Sequence, residues 1–295
     1  MVFMVLSLGF LSAIAPPGAQ AQPQELLQVE VTEALGGEPE VAVARLDPAN
    51  GGDQVAFPVS EAEATAIALH AQRAQTPRPM SHQLLCNVLT TLGLTLRGAI
   101  IGPPDYRDSR PGWLWVEDAE RRFVVPARPG DAIAAALCAD APIFVADKPL
   151  EGSEPPPEDA LRPYTFLSCE RDEAGVPGPH DVVCLDTPDG ARRYSIRVGL
   201  AEADSIFLAM DEPRPPRLRV HGTTAEVLRL AGVTVKRLVI ADVINGTIMG
   251  SLVLDVLGEE VEVDCRPSDG IAIALRAQAP IYMGPAAAAA LGVRP

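Results

Sequence analysis

The feature that most restricts the fold is an internal repeat. Residues 128–145 read RPGDAIAAALCADAPIFV and residues 266–283 read RPSDGIAIALRAQAPIYM, identical at 11 of 18 positions at an offset of 138. Upstream, Glu63–Ala64 and Ile67 fall on Glu202–Ala203 and Ile206. Between these blocks, residues 78–101 fall on 217–240, which sets Arg78 on Arg217, His82 on His221 and Gly93 on Gly232. Three blocks in one order at nearly one offset mean that a single supersecondary unit is written twice. A chain of 295 residues then holds two units of ordinary domain size.

The stretch 151–162, EGSEPPPEDALR, is acidic and proline-rich without apolar periodicity, and reads as a stiff exposed linker. It divides the chain into a first unit over 25–150 and a second over 163–285, with 286–295 left as a flexible tail. In the second unit, 236–244 and 247–256 are β-rich runs separated by Asn245–Gly246, a hairpin signal. A third short strand, 260–265, leads into Arg266–Pro267–Ser268–Asp269, where Pro267 suits the first helical position and Asp269 the first turn. That helix runs to about Gln278, and a strand begins at Ile281. With helical spacing over 201–210 and 224–232, each unit is expected to be α+β: a mixed sheet with short packed helices. In the first unit GPPDYRDSRPG (102–112) lengthens the hairpin loop, and Trp113 and Trp115 share one face of the next strand. Such a pair could stack bases or simply pack against a helix.

Composition narrows the function. Aromatics are only 4%, so the core must come from Ala, Val, Leu and Ile, while 47% apolar and 21% charged residues exclude a disordered chain. The formal charge of −15 repels phosphate backbones and anionic lipid, so DNA or RNA would be held weakly and salt-dependently, through a small site. No stable membrane anchor is expected. The five cysteines contain no C-x-x-C pair. Cys86, Cys138 and Cys265 read as small buried hydrophobes, and Cys169 and Cys184 could pair if the chain is exported. Residues 2–15 form an uncharged apolar run followed by Ala19 and Ala21 at a small-x-small site, so residues 1–21 read as a signal peptide despite lacking Lys or Arg. The expected location is exported or periplasmic, or cytoplasmic if that segment is not a signal.

The repeated blocks resemble the bifunctional nuclease family, the BFN or DUF151 domain. The resemblance rests on Glu63–Ala64, Arg78–Pro79–Met80–Ser81–His82–Gln83–Leu84–Leu85, Arg128–Pro129–Gly130–Asp131–Ala132–Ile133 and Ala141–Pro142–Ile143–Phe144. The second copy supplies Glu202–Ala203, Arg217, His221, Arg266 to Ile271 and Ala279–Pro280–Ile281–Tyr282. It implies a compact α+β domain, usually oligomeric, whose members act on DNA and RNA. Fusing two such units would satisfy inside one chain a contact that relatives make between subunits. Each copy departs from the pattern: Ser81, Gln83 and Gly130 in the first, Leu218 and Gly222–Thr223 in the second.

Hydrolysis of a phosphodiester needs an activated water, neutralised phosphoryl charge and a proton for the leaving oxygen. Asp131, Asp269, Glu63 and Glu202 are the candidate oxygen ligands for Mg²⁺ or Mn²⁺. Arg78, Arg128 and Arg266, with Ser81 and Ser268, are candidates to grip phosphate, and His82 to transfer a proton. The catalytic set is then His82, Asp131, Asp269 and Glu63. If one site is shared, Arg78, Ser81 and His82 would face Arg266, Ser268 and Asp269. The competing account makes both aspartates helix caps, Ser81 an N-cap, His221 a packed residue, and His70 and His180 ordinary surface residues. The chain would then be a non-catalytic interaction or scaffold module.

Overall fold

The computed structural model describes residues 27–34, 41–48, 55–76, 78–104, 110–146, 148, 150, 161–171, 181–186, 193–210, 218–241 and 243–291. The signal-peptide segment, most of the linker, Arg217, His180 and the side chains of Cys169 and Cys184 lie outside these residues. The first half runs β1 (Leu27–Ala34), β2 (Val41–Pro48), β3 (Val55–Ser60), α1 (Glu61–Ala71), α2 (Ser81–Thr91), β4 (Thr95–Ile101), β5 (Gly112–Glu117), β6 (Arg122–Ala127), α3 (Pro129–Cys138) and β7 (Ile143–Ala146). The second half repeats the order. It runs β8 (Leu161–Arg171), β9 (Asp181–Asp186), β10 (Arg193–Val198), α4 (Leu200–Met210), α5 (Val220–Leu230), β11 (Thr234–Ile240), the small hairpin β12 (Val243–Ile244) and β13 (Thr247–Ile248), β14 (Gly250–Val256), β15 (Glu259–Cys265), α6 (Pro267–Arg276) and β16 (Ile281–Met283). A last helix, α7 (Pro285–Leu291), follows.

The two halves form two seven-stranded mixed sheets of one topology, β3-β2-β8-β7-β4-β5-β6 and β10-β9-β1-β16-β11-β14-β15. In each, one parallel pair, β4 with β7 or β11 with β16, sits among antiparallel neighbours. The α+β architecture with two similar units is therefore present. One strand in each sheet comes from the other half. β1 pairs with β16 and β9, in the second sheet, and β8 pairs with β7 and β2, in the first. A cut between residues 150 and 163 consequently does not separate the sheets. The motif reading also left out β1, β2, β8 and β9, because the repeated blocks begin after them. Cys169 and Cys184 stand on β8 and β9, which belong to different sheets. At the other end residues 285–291 are helical, with Ala287 fully buried in the second core, so most of the expected tail is part of the fold.

The helices form for legible reasons. Ser60 and Glu63 close a reciprocal capping box at the start of α1. Pro129 and Pro267 open α3 and α6 at a position with no N–H to lose. Gly93 and Gly232 adopt positive φ just past α2 and α5, where a left-handed residue ends a helix cheaply. Asn245 and Gly246 both take positive φ in the expected tight turn. The run Ala132–Ala136 in α3 is fully buried, so this helix passes between the sheet and its neighbours, and its small side chains permit that approach. Leu84 and Val88 of α2 belong to the second core, while Val220 and Val227 of α5 belong to the first. Each unit therefore completes the other's interior.

The tryptophans do not pack on the helices. Trp115 is buried on the sheet's other face with Ile100, Val124 and Ala146, beside Phe144, with ring centroids 6.3 Å apart. The Arg97 guanidinium lies 5.9 Å from its ring. That face is occupied by protein, which removes Trp115 as a base-stacking platform.

Candidate functional site

Duplication places two equivalent clusters where α1, α2 and α3, or α4, α5 and α6, converge, and the two are built differently. In the first, Glu63, His82 and Asp131 are all buried. His82 Nε2 lies 2.9 Å from Asp131 Oδ1, so a carboxylate from α3 holds a ring from α2. Neither aspartate acts as the expected helix cap: the N-cap residues Arg128 and Arg266 have no side-chain cap, and both carboxylates face side chains instead. Glu63 Oε2 accepts from the Ser60 N–H at 2.8 Å and the Ser60 hydroxyl at 2.6 Å. Burial, and next the nearby charge of Asp131, push the Glu63 carboxyl above the usual carboxylate range, against the hydrogen bonds of Ser60 and the charge of Arg128. Among the described residues no guanidinium is bonded to either carboxylate of the first cluster.

The second cluster is saturated. Asp269 has no exposed surface. Its Oδ1 meets His221 Nε2 at 2.7 Å, Ser81 Oγ at 2.7 Å and Arg266 Nη2 at 3.0 Å, and its Oδ2 accepts from Arg266 Nε at 2.6 Å. Arg266 Nη2 also reaches Glu202 Oε1 at 2.5 Å. Burial opposes the charge on Asp269, but His221 and then Arg266 outweigh it and hold its carboxyl well below the usual range. Arg266 is in turn held above its ordinary value: burial alone would lower it, and the bond and charge of Asp269 prevail.

One exchange of residues explains the difference. Where α1 follows Ser60, α4 follows Gly199, and a Cβ there would run into Glu202. Where the second copy has Ser268, the first has Gly130, and a Cβ on Gly130 would lie 2.7 Å from the Glu63 Cβ and Oε1. In the first unit Ser60 draws Glu63 back over a glycine. In the second Glu202 has no serine to cap and pairs with Arg266.

The predicted cross-unit site forms only in part. Ser81 does meet Arg266 and Asp269, but it is the first residue of α2 rather than its cap, and Gln83 accepts from the Met80 N–H instead. Arg78 crosses too, yet its Nη1 and Nη2 donate to the carbonyls of Ile248 and Cys265 at 2.6 and 2.8 Å, which spends them on the fold. His82 stays with Asp131 of its own unit. Ser268 is buried. Among the described residues the guanidinium of Arg128, half-buried, makes no hydrogen bond or ion pair. No group of three or more His, Cys, Asp or Glu side chains converges as a metal site among the described residues.

Two features escaped the sequence reading. His70 is not on the surface but buried at the end of α1, its ring edge-on to His82 at 6.1 Å. Arg219 and Arg276 lie close together in the second unit, where burial and then the charge of Arg219 lower Arg276. Only the alignment of Arg276 with Cys138 hinted that this corner differs between the copies. No described helix is long and apolar enough to cross a membrane.

Comparison with known proteins agrees with this duplicated architecture. Two uncharacterized proteins from two strains of Mycobacterium tuberculosis are each 33% identical over 117 residues, covering 40% of this chain and 70% of the relative. The model of the bifunctional nuclease domain matches twice, over residues 46–156 and 183–294. The chain therefore belongs to the bifunctional nuclease domain family, with the domain present in tandem.

Proposed function

We propose that the chain is a metal-dependent nuclease that hydrolyses phosphodiester bonds in DNA or RNA, with its working residues in the first unit. The observation that carries this reading is the asymmetry of the clusters. Arg128, Asp131 and Glu63 keep unspent polar atoms around the start of α3, whereas Arg266, Asp269 and Glu202 consume one another. Mg²⁺ and Mn²⁺ suit one or two carboxylates completed by water and substrate phosphate, rather than a closed protein cage. Glu63 and Asp131 fit that description: each has one oxygen without a hydrogen bond among the described residues, and the charge of Asp131 acts to raise the Glu63 carboxyl. Asp269 and Glu202 do not fit, because Arg266 is already bonded to both.

A bound cation would polarise the phosphate and acidify water. The protein's own contributions are separate. Arg128 offers a planar guanidinium to phosphate oxygens. Asp131 fixes the orientation of the His82 ring, the candidate for passing a proton to the leaving oxygen. Affinity for a polyanion would be low and steeply salt-dependent, as the net charge of −15 requires.

The test is cleavage of labelled single-stranded DNA and RNA at low salt with Mg²⁺, Mn²⁺ or EDTA, for the wild type and for D131N and E63Q. Metal-dependent cleavage that both substitutions abolish supports the reading. A wild type that cleaves neither substrate under any condition supports instead the scaffold reading, which the burial of Glu63, His82 and Asp131 favours.

A further inference from the structure

His70, Cys86 and Cys138 form a second cluster in the first unit. They stand 7, 4 and 7 residues after Glu63, His82 and Asp131 on α1, α2 and α3, hence one or two turns along the same helix faces. Cys86 Sγ lies 3.8 Å from the carbonyl oxygen of Ala135, one turn before Cys138. Cys86 and Cys138 lie near enough to perturb one another's titration, and the charge of His70 reaches Cys138. Both cysteines are half-buried, so a small reagent can reach them, and Cys265 is fully buried. The corresponding positions of the second unit hold Ala209, Ala225 and Arg276, so the shared fold does not require this trio. The reading as small buried hydrophobes fits Cys265, whereas Cys86 and Cys138 are only half-buried.

We propose that Cys86 and Cys138 are a peroxide-reactive thiol pair that closes to a disulfide joining α2 to α3. The thiolate of Cys138 attacks one oxygen of the peroxide; the O–O bond breaks, Cys138 becomes a sulfenic acid, and hydroxide leaves. The sulfur of Cys86 then attacks the Cys138 sulfur, the S–O bond breaks, and the Cys86 proton leaves with that hydroxyl as water. Two thiol sulfurs are oxidised by two electrons in total and one peroxide is reduced. The neighbouring Cys86 thiol, with His70, holds Cys138 below the ordinary thiol range, while Cys86 is held above it by Cys138 and by burial.

The experiment treats the reduced full-length protein with hydrogen peroxide at neutral pH, alkylates the remaining thiols, and maps peptides by mass spectrometry without reduction. The expected product is a Cys86–Cys138 cross-linked peptide with Cys265 still alkylatable after denaturation. C86S is expected to yield a dimedone-trappable sulfenic acid at Cys138, and C138S to slow the oxidation of Cys86 by about 10-fold or more. H70A is expected to slow cross-linking while leaving the fold, read by circular dichroism, intact. Separate oxidation of the two cysteines without a cross-linked peptide would overturn the proposal. So would a Cys86 that oxidises equally fast in wild type and C138S.

Discussion

The sharpest consequence of the two unlike clusters is that one substitution, made at equivalent positions, should have very different costs. D269N replaces a carboxylate that is fully buried and makes four short contacts, two to Arg266 and one each to His221 and Ser81. The asparagine amide must set a donor against a donor, whichever way it turns. Breaking a buried, fully paired charge by removing one partner costs about 3–5 kcal/mol. D131N replaces a carboxylate with one hydrogen bond, to His82, which the amide oxygen can still accept, and it relieves the repulsion on Glu63. Its cost should be about 1 kcal/mol. At about 2–4 °C per kcal/mol for a chain of this size, D269N should lower the melting temperature by roughly 6–20 °C and D131N by about 2–4 °C. Urea unfolding followed by far-UV circular dichroism measures the difference directly. Equal destabilisation by the two substitutions would refute the claim that only the second cluster is a saturated structural network.

Further outcomes follow from named contacts. G130S should destabilise the protein by about 1–3 kcal/mol in urea titrations, because its Cβ meets the Glu63 Cβ at 2.7 Å and the capping box resists movement. Stability should fall with acid as Asp269 protonates: its pairing is fully present above the usual Asp range and is lost as pH falls through its depressed pKa, a loss that D269N removes. Glu63 has the opposite sign, since its pKa is raised; its contribution is present below the usual Glu range and is lost as pH rises through the raised value, so E63Q should flatten that limb. Because β1 and β8 are exchanged, the fluorescence of Trp113 and Trp115, both in the first unit, should report the same urea midpoint as far-UV circular dichroism of the whole chain. Two separated midpoints would show that the exchange does not couple the units.

How much of this was legible from the chain depends on range. The repeat itself, the α+β class, the Pro-opened helices and the Asn245–Gly246 turn are local patterns, and the structure bears them out. The strand exchange was not legible, because alternation can show that 27–34 and 161–171 are strands but not which sheet receives them. Side-chain partners divide in the same way. Ser81 facing Asp269 was deducible from two incomplete copies sharing one site, whereas the pairing of His82 with Asp131, 49 residues apart, depends on how three helices converge. The burial of His70 and the meeting of Cys86 with Cys138 have the same origin: each residue alone looks ordinary, and only the packing of α1, α2 and α3 makes them neighbours. The contrast between Ser60 with Gly130 and Gly199 with Ser268 was visible in the alignment, but its meaning required knowing that both positions touch the same glutamate.

The central claim, that the first unit carries the working carboxylates, is tested most directly by one rate. Cleavage of a labelled single-stranded oligonucleotide in Mg²⁺ should be compared between wild type and D131N at a temperature where both are folded. The account predicts that D131N loses about 100-fold or more of the rate with its fold retained. Cleavage at an undiminished rate by folded D131N would contradict it.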